Sequence, residues 1–224
     1  MGLPTISLLW LTLSIDIETA ITMIVIPAFI TNLWQAINGK YLSELIREFW
    51  FFLTLSGFSV YLGTYLFFCI STDLATSLLA VIIIFYSIIV LRGKTFSHPN
   101  KYHPLIKPVV FTSNGILTGL TGTLIVPGVF FFTALNYSKE KLLQALGIHF
   151  SILSLALGVS KTIHEVTFNS EILLLSIYST VLAFVGMFIG NRVLGGIDET
   201  FFRKLFLYSL LIIGILVLVK TFKT

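Results

Sequence analysis

The chain has 224 residues, 56% of them hydrophobic and 11% charged, with 14 Lys+Arg against 10 Asp+Glu and a mean hydropathy of +0.99. A soluble domain carries about a quarter charged residues, so this composition all but excludes a soluble enzyme. The pI of about 9.2 does not signal a nucleic-acid partner, because the basic residues occupy short gaps between apolar runs, where they fit loops against an anionic leaflet. The predicted fold class is all-α: a polytopic transmembrane helix bundle, multi-pass in a cell membrane, with the lipid bilayer as its surroundings.

A crossing helix needs about 20 mostly apolar residues. Before the first such block comes an apolar stub at 3–13, which as helix would reach only about 16 Å. The stub has no basic leader and no small-x-small cleavage signal, so insertion is expected to rely on the spans themselves. The block at 18–37 holds Asn32 and Gln35, three residues apart and therefore on one helix face. The block at 49–70 contains Cys69, the single cysteine, which has no partner for an internal disulfide and no metal-ligand spacing around it. The block at 75–91 leads into the longest polar gap, 92–107.

That gap contains Arg92, Lys94, Lys101, Lys107, His98 and His103 and no acid, which predicts a cytoplasmic loop. The gap with Lys40 and Arg47, two crossings earlier, falls on the same side. The gap between these two, 71–74, has neither Lys nor Arg.

The next block, 108–135, would make a straight helix of about 42 Å, too long for the hydrocarbon core. Gly115, Gly119, Gly122 and Pro127-Gly128 interrupt it. Proline removes a backbone donor, and lipid does not tolerate freed backbone groups, so a broken or re-entrant helix is expected here. Blocks at 142–160, 171–191 and 205–219 follow. If 108–135 crosses once, Arg203 and Lys204 fall outside and Lys220 and Lys223 inside; if it re-enters, the assignments swap.

The two halves look related. Gly63 and Gly190 are each followed seven residues later by isoleucine and then a polar residue, Ser71 or Asp198. Pro4 and Pro127 each start an apolar stub that ends in a polar, acid-containing turn. The prolines are 123 residues apart and the glycines 127, implying a four-residue insertion. The expected organisation is a duplicated four-span unit giving seven to eight spans: 1–91 as first repeat, 92–107 as basic loop and 108–224 as second repeat. Nineteen residues of span, 108–126, precede Pro127, against three before Pro4, so the first repeat is expected to lack its N-terminal half-helix. Duplicated folds with broken helices at the repeat interface are typical of secondary transporters.

The stretch Asn114-Gly-Ile-Leu-Thr-Gly-Leu-Thr-Gly-Thr-Leu-Ile-Val-Pro127, continuing to Lys141-Leu-Leu-Gln-Ala-Leu-Gly-Ile148, resembles the sulfite exporter TauE/SafE family, also called toluene sulfonate uptake permeases. Pro27-Ala-Phe-Ile-Thr-Asn-Leu-Trp-Gln-Ala36 and Gly186-Met-Phe-Ile-Gly-Asn-Arg192 fit the same resemblance, which covers nearly the whole chain. It implies a permease for sulfite or organosulfonates.

Candidate binding residues follow from how few ionisable groups lie within the spans. His149 is the clear exception: either an interhelical hydrogen-bonding histidine or a proton carrier. Gly119 and Gly122, with Gly115, serve either close helix packing or, with Pro127, a break whose backbone N–H groups bind an anion without a charged side chain. Thr118, Thr121, Asn32, Gln35 and Gln144 can add neutral donors. Arg192 either guards an anion path or snorkels to the headgroups.

The reading is thus a secondary transporter of a small anionic substrate, with proton or sodium as coupling ion and no cofactor. No phosphate-binding G-x-x-x-x-G-K-[ST] motif supports ATP drive. An intramembrane enzyme would need a motif such as G-x-S-x-G or H-E-x-x-H, and neither occurs. The alternative is a non-transporting membrane scaffold or a degraded transporter homologue.

Overall fold

The computed structural model describes residues 3–93, 105–164, 170–194 and 199–223, and among these it contains helices and no strand. In chain order they are α1 (Leu3–Thr12), α2 (Ile17–Ile37), α3 (Leu42–Cys69), α4 (Thr72–Leu91), α5 (Ile106–Thr121), α6 (Gly128–Ala134), α7 (Lys139–Ile163), α8 (Ser170–Leu194) and α9 (Glu199–Thr221). Six segments are long and apolar enough to cross a membrane: α2, α3, α4, α7, and the stretches Ile172–Ile189 of α8 and Lys204–Thr221 of α9. The apolar block 108–135 is divided between α5 and the seven-residue α6. Lys94, Lys101, His98 and His103 lie outside the described residues, as do the side chains of Arg192 and Arg203.

Small polar residues punctuate the apolar runs because each satisfies a free amide at a helix start. Asp16 accepts from Thr19 N at 2.8 Å to open α2, Ser71 from Leu74 N at 3.2 Å to open α4, and Ser138 from Lys141 N at 3.4 Å to open α7. Pro27 lies inside α2 and cannot bond back to Met23. The freed Met23 carbonyl instead accepts from Ser176 Oγ of α8 at 3.2 Å, so a neighbouring helix supplies what lipid cannot.

The helix ends sort into two sets. Lys161 at the end of α7 lies against Phe67 at the end of α3, and Lys220 near the end of α9 donates to Thr12 O at the end of α1 at 3.0 Å. At the opposite end, Lys107 at the start of α5 sits over Phe49 and Phe52, and Tyr137, just after α6, donates to Glu48. Entry into α5 and exit from α6 therefore both occur beside the first turns of α3. The α5–α6 pair is a re-entrant hairpin whose tip, residues 122–127, lies inside the bundle.

Helix α3 packs along α5, α2 along α7, and α4 along α9, while α3 also meets α7 and α2 meets α8. The α3–α5 contact is backbone to backbone. A Cβ at Gly63 would run into the Ile116 carbonyl oxygen, and one at Gly119 into Val60 O and Thr64 N. Buried rings of Phe49 from α3, Phe111 from α5 and Phe131 and Phe132 from α6 pack together where the hairpin meets α3, with centroids 5.4–6.1 Å apart.

Candidate anion site at the hairpin tip

Helix α5 stops at Thr121 because Gly122 takes a left-handed conformation, φ 72°, and closes the helix by donating to Thr118 O at 2.8 Å. Extended chain follows, through the cis Val126-Pro127 bond, to α6.

Buried side chains hold this break open. Asn114 Nδ2 donates to Leu124 O at 3.2 Å, and Asn114 Oδ1 accepts from Gly128 N at 2.7 Å. Thr118 Oγ1 donates to Thr123 O at 2.9 Å, and Thr121 Oγ1 donates to Leu117 O at 2.7 Å. His149 Nε2 stands 3.2 Å from Asn114 Oδ1. Since that oxygen accepts, Nε2 carries the proton, an assignment made from the bonding partner. Nδ1 is then the bare acceptor, buried without a partner. The imidazole is enclosed by Phe111, Phe132 and Phe150, with centroids 5.0–6.0 Å away.

These bonds divide the tip. Gly128 N is taken by Asn114, Val129 N by Ile125 O at 2.9 Å, and Thr123 N leans on Thr121 Oγ1 at 3.4 Å. The N–H groups of Leu124, Ile125 and Val126 find no acceptor among the described residues. Three consecutive amides without partners are unusual, because buried backbone donors are nearly always paired.

Leu124 and Ile125 line a cavity of about 740 Å³ between α1, α2, α7 and α8. Its polar wall includes Thr5 and Ser7 of α1, Asn32 and Gln35 of α2, and Ser179 of α8. Of the residues expected from the sequence, Asn32, Gln35, Pro27 and Gln144 reach this cavity. Asn32 Nδ2 is tied to Ala28 O of its own helix at 2.7 Å. Gln144 spans the α2–α3 turn, donating to Ala36 O and accepting from Tyr41 N, both at 2.8 Å.

Thr118, Gly119, Thr121, Gly122, Pro127 and His149 do not line the cavity; they shape or support the loop that does. Gly122 packs against Ile21 and Leu8, and Gly119 against α3. Asn114 was not among the expected site residues, although it organises the tip. Its signal in the sequence is an Asn four residues before Thr118 on a glycine-lined apolar helix.

At the exit of the hairpin, Tyr137 Oη donates to the Glu48 carboxylate at 3.1 Å, and Lys141 Nζ pairs with Glu44 at 2.8 Å. Burial and the negative Glu48 beside it push the Tyr137 phenol above its usual range. The pair fastens the hairpin to α3.

A bundle of apolar crossing helices around a hairpin, with a largely apolar cavity that carries a few polar groups beside the hairpin tip, defines a multi-pass membrane protein. The family model described as Sulfite exporter TauE/SafE matches residues 1–217, and the chain belongs to that family of membrane transporters. No curated protein and no solved structure matches the chain.

Proposed function

We propose that the protein is a secondary transporter of sulfite or a small organosulfonate. The anion is held at the hairpin tip by the N–H groups of Leu124, Ile125 and Val126, with Gln35 and Asn32 facing it across the cavity. The observation that carries this reading is the set of three unpaired amides on a loop that lines the cavity. Backbone N–H groups bind oxyanions well, and they avoid the cost of a charged side chain in hydrocarbon, about 2.5–3.5 kcal/mol or more. Asn114, Thr118 and His149 then serve as the frame that keeps the amides free by bonding the neighbouring groups.

Helix direction supports an inverted duplication. Helix α1 runs outward from the bundle interior and α6 inward-to-outward towards the opposite end; α2 and α7, α3 and α8, and α4 and α9 pair in opposite senses. The α3–α7 contact has its counterpart in α2–α8. On this reading residues 1–91 and 108–224 are the two repeats.

Re-entry of α5–α6 also removes the conflict in the charge pattern. Of the described residues, Lys40, Arg47, Arg92, Lys107, Lys139, Lys141 and Lys204 then flank one end, and Lys161, Lys220 and Lys223 the other. The basic end is assigned to the cytoplasm.

The test is uptake of radiolabelled sulfite into proteoliposomes. The expected result is saturable flux, reduced at least tenfold by Asn114→Ala. Flux no greater than in empty liposomes would favour the scaffold alternative.

A further inference from the structure

Among the described residues, Lys161 is unlike the other cations. It is fully buried, one turn from the end of α7, and its Nζ has no hydrogen-bond partner. It does not snorkel: the amine is folded onto the ring faces of Phe67 at 4.2 Å and Phe68 at 5.3 Å, both from α3. A buried ammonium without an acceptor is costly, and ring faces offset only part of that. Whether this group keeps its proton therefore depends on the charge and water brought near it.

The groups able to act on it are few. From α2 and its cap come the carboxylates Glu18 and Asp16. Neither lies within ion-pair distance of Lys161 among the described residues. From α3 come only the two rings and the Tyr61 phenol, which packs on His164 with centroids 5.4 Å apart. On α7 itself His164, in the next turn, stacks on Phe68 at 5.1 Å and holds Ser160 O at 2.8 Å. Among the described residues the site therefore has acids at the exposed start of α2, an amine buried beside α3 and no counter-ion within ion-pair distance of it.

We propose that Lys161 carries the coupling proton of the transport cycle, an inference that rests on the anion-transport reading above. The amine takes a proton from solution at the Asp16–Glu18 end and becomes ammonium. The charge gained compensates that of a monoanion elsewhere in the bundle, so that the loaded protein moves with no net added charge. The proton is returned to water when the anion leaves. Compensation of this kind lowers the electrostatic cost of carrying an anion through a low-dielectric interior.

The experiment separates anion exchange from proton-driven accumulation. Wild type, Lys161→Arg and Lys161→Met are reconstituted in liposomes, and labelled sulfite is followed twice: in equilibrium exchange with sulfite on both sides, and in accumulation driven by an imposed pH gradient. Arginine stays protonated and still compensates the anion, whereas methionine is never charged, so Lys161→Arg should exchange sulfite within about threefold of wild type, Lys161→Met should exchange at least tenfold more slowly, and both should lose gradient-driven accumulation at least tenfold. Accumulation by either variant at the wild-type level overturns the proposal. So does loss of exchange in both, because Lys161 would then serve the anion or the fold rather than the proton. A wild-type protein that exchanges sulfite but ignores the pH gradient overturns this inference alone, whereas absence of exchange in wild type overturns the transport reading with it.

Discussion

Helices α5 and α8 carry the same glycine spacing, Gly115/Gly119 and Gly186/Gly190, and use it in opposite ways. In α5 the glycines are pressed against the backbone of α3, where a Cβ at Gly115 would meet Ser56 O and one at Gly119 would meet Val60 O. In α8 a Cβ at Gly186 would meet nothing within 4 Å. Helix α8 packs chiefly on α2 and leaves Tyr178, Leu182 and Phe188 well exposed, whereas α5 is sandwiched and keeps Asn114 and Thr118 fully buried. The spacing permits close approach, but what it does depends on whether a partner is present. Where the partner is present, the tight contact lets a buried polar network set the conformation of a functional loop.

The strongest way to break this comparison is to place the same side chain in both helices. Gly119→Leu must separate α3 from α5, so we expect a loss of about 3 kcal/mol or more, or failure to fold, since overpacking alone costs about 1–3 kcal/mol. Gly186→Leu should stay within about 0.5 kcal/mol of wild type, as a lipid-exposed substitution without clashes does. Thermal unfolding in detergent reads both, and equal destabilisation would refute the contrast.

Next in size is Asn114→Ala. It leaves Gly128 N and Leu124 O unpaired in a dry site, at about 1–3 kcal/mol for each orphaned group. Asn114→Asp keeps the acceptor for Gly128 N and loses the donor to Leu124 O, so its unfolding temperature should fall between those of wild type and alanine.

Ser176→Ala sharpens the comparison from the α8 side, because that helix contributes one bond to the Pro27 break rather than a network. The expected cost is about 0.5–1.5 kcal/mol. A larger loss would mean that α8 is held more tightly than its exposed face indicates.

The smallest effect concerns pH. Burial works to raise the Asp16 carboxyl, but the hydrogen bonds from Thr19, together with the backbone amides of Asp16 and Glu18, outweigh it and hold the group below its usual value. An acid lowered on folding contributes stability above its unfolded value and loses it as pH falls through the folded one. Acidification below about pH 4 should therefore weaken the α2 cap slightly, since solvent screens this exposed group. Asp16→Asn, which retains the cap acceptor without its charge, should show less of this pH dependence in unfolding scans.

Much of the architecture was legible because it is written in local signals. The runs answering to α2, α3, α4, α7, α8 and α9 are set by hydropathy, and Asp16, Ser71 and Ser138 mark where three of them start. The break at 122–127 was legible for the same reason: Gly122 and Pro127 act on their own backbone. The sequence left the hairpin's direction open, because charge bias was consistent with two topologies and only the contacts of Lys107 and Tyr137 with α3 decide between them.

The site was less legible. Gln144 looked like a free donor but is consumed by Ala36 O and Tyr41 N, contacts more than a hundred residues away. His149 was recognisable as unusual, yet its partner Asn114 lies 35 residues earlier and no local pattern joins them. Lys161 falls just past the apolar block 142–160 in the sequence, and it is the packing of α3 and α2 around it that buries it. Tertiary contacts of this kind have no periodicity in the sequence.

The central claim is that the anion is held by the backbone amides of Leu124, Ile125 and Val126. Amide hydrogen exchange of the protein in lipid nanodiscs, with and without saturating sulfite, addresses those groups directly. The account predicts that sulfite slows exchange at 124–126 at least tenfold while leaving the already bonded amides of Gly122 and Gly128 unchanged. Exchange at 124–126 that is the same with and without sulfite, in protein that still binds the anion, would contradict it.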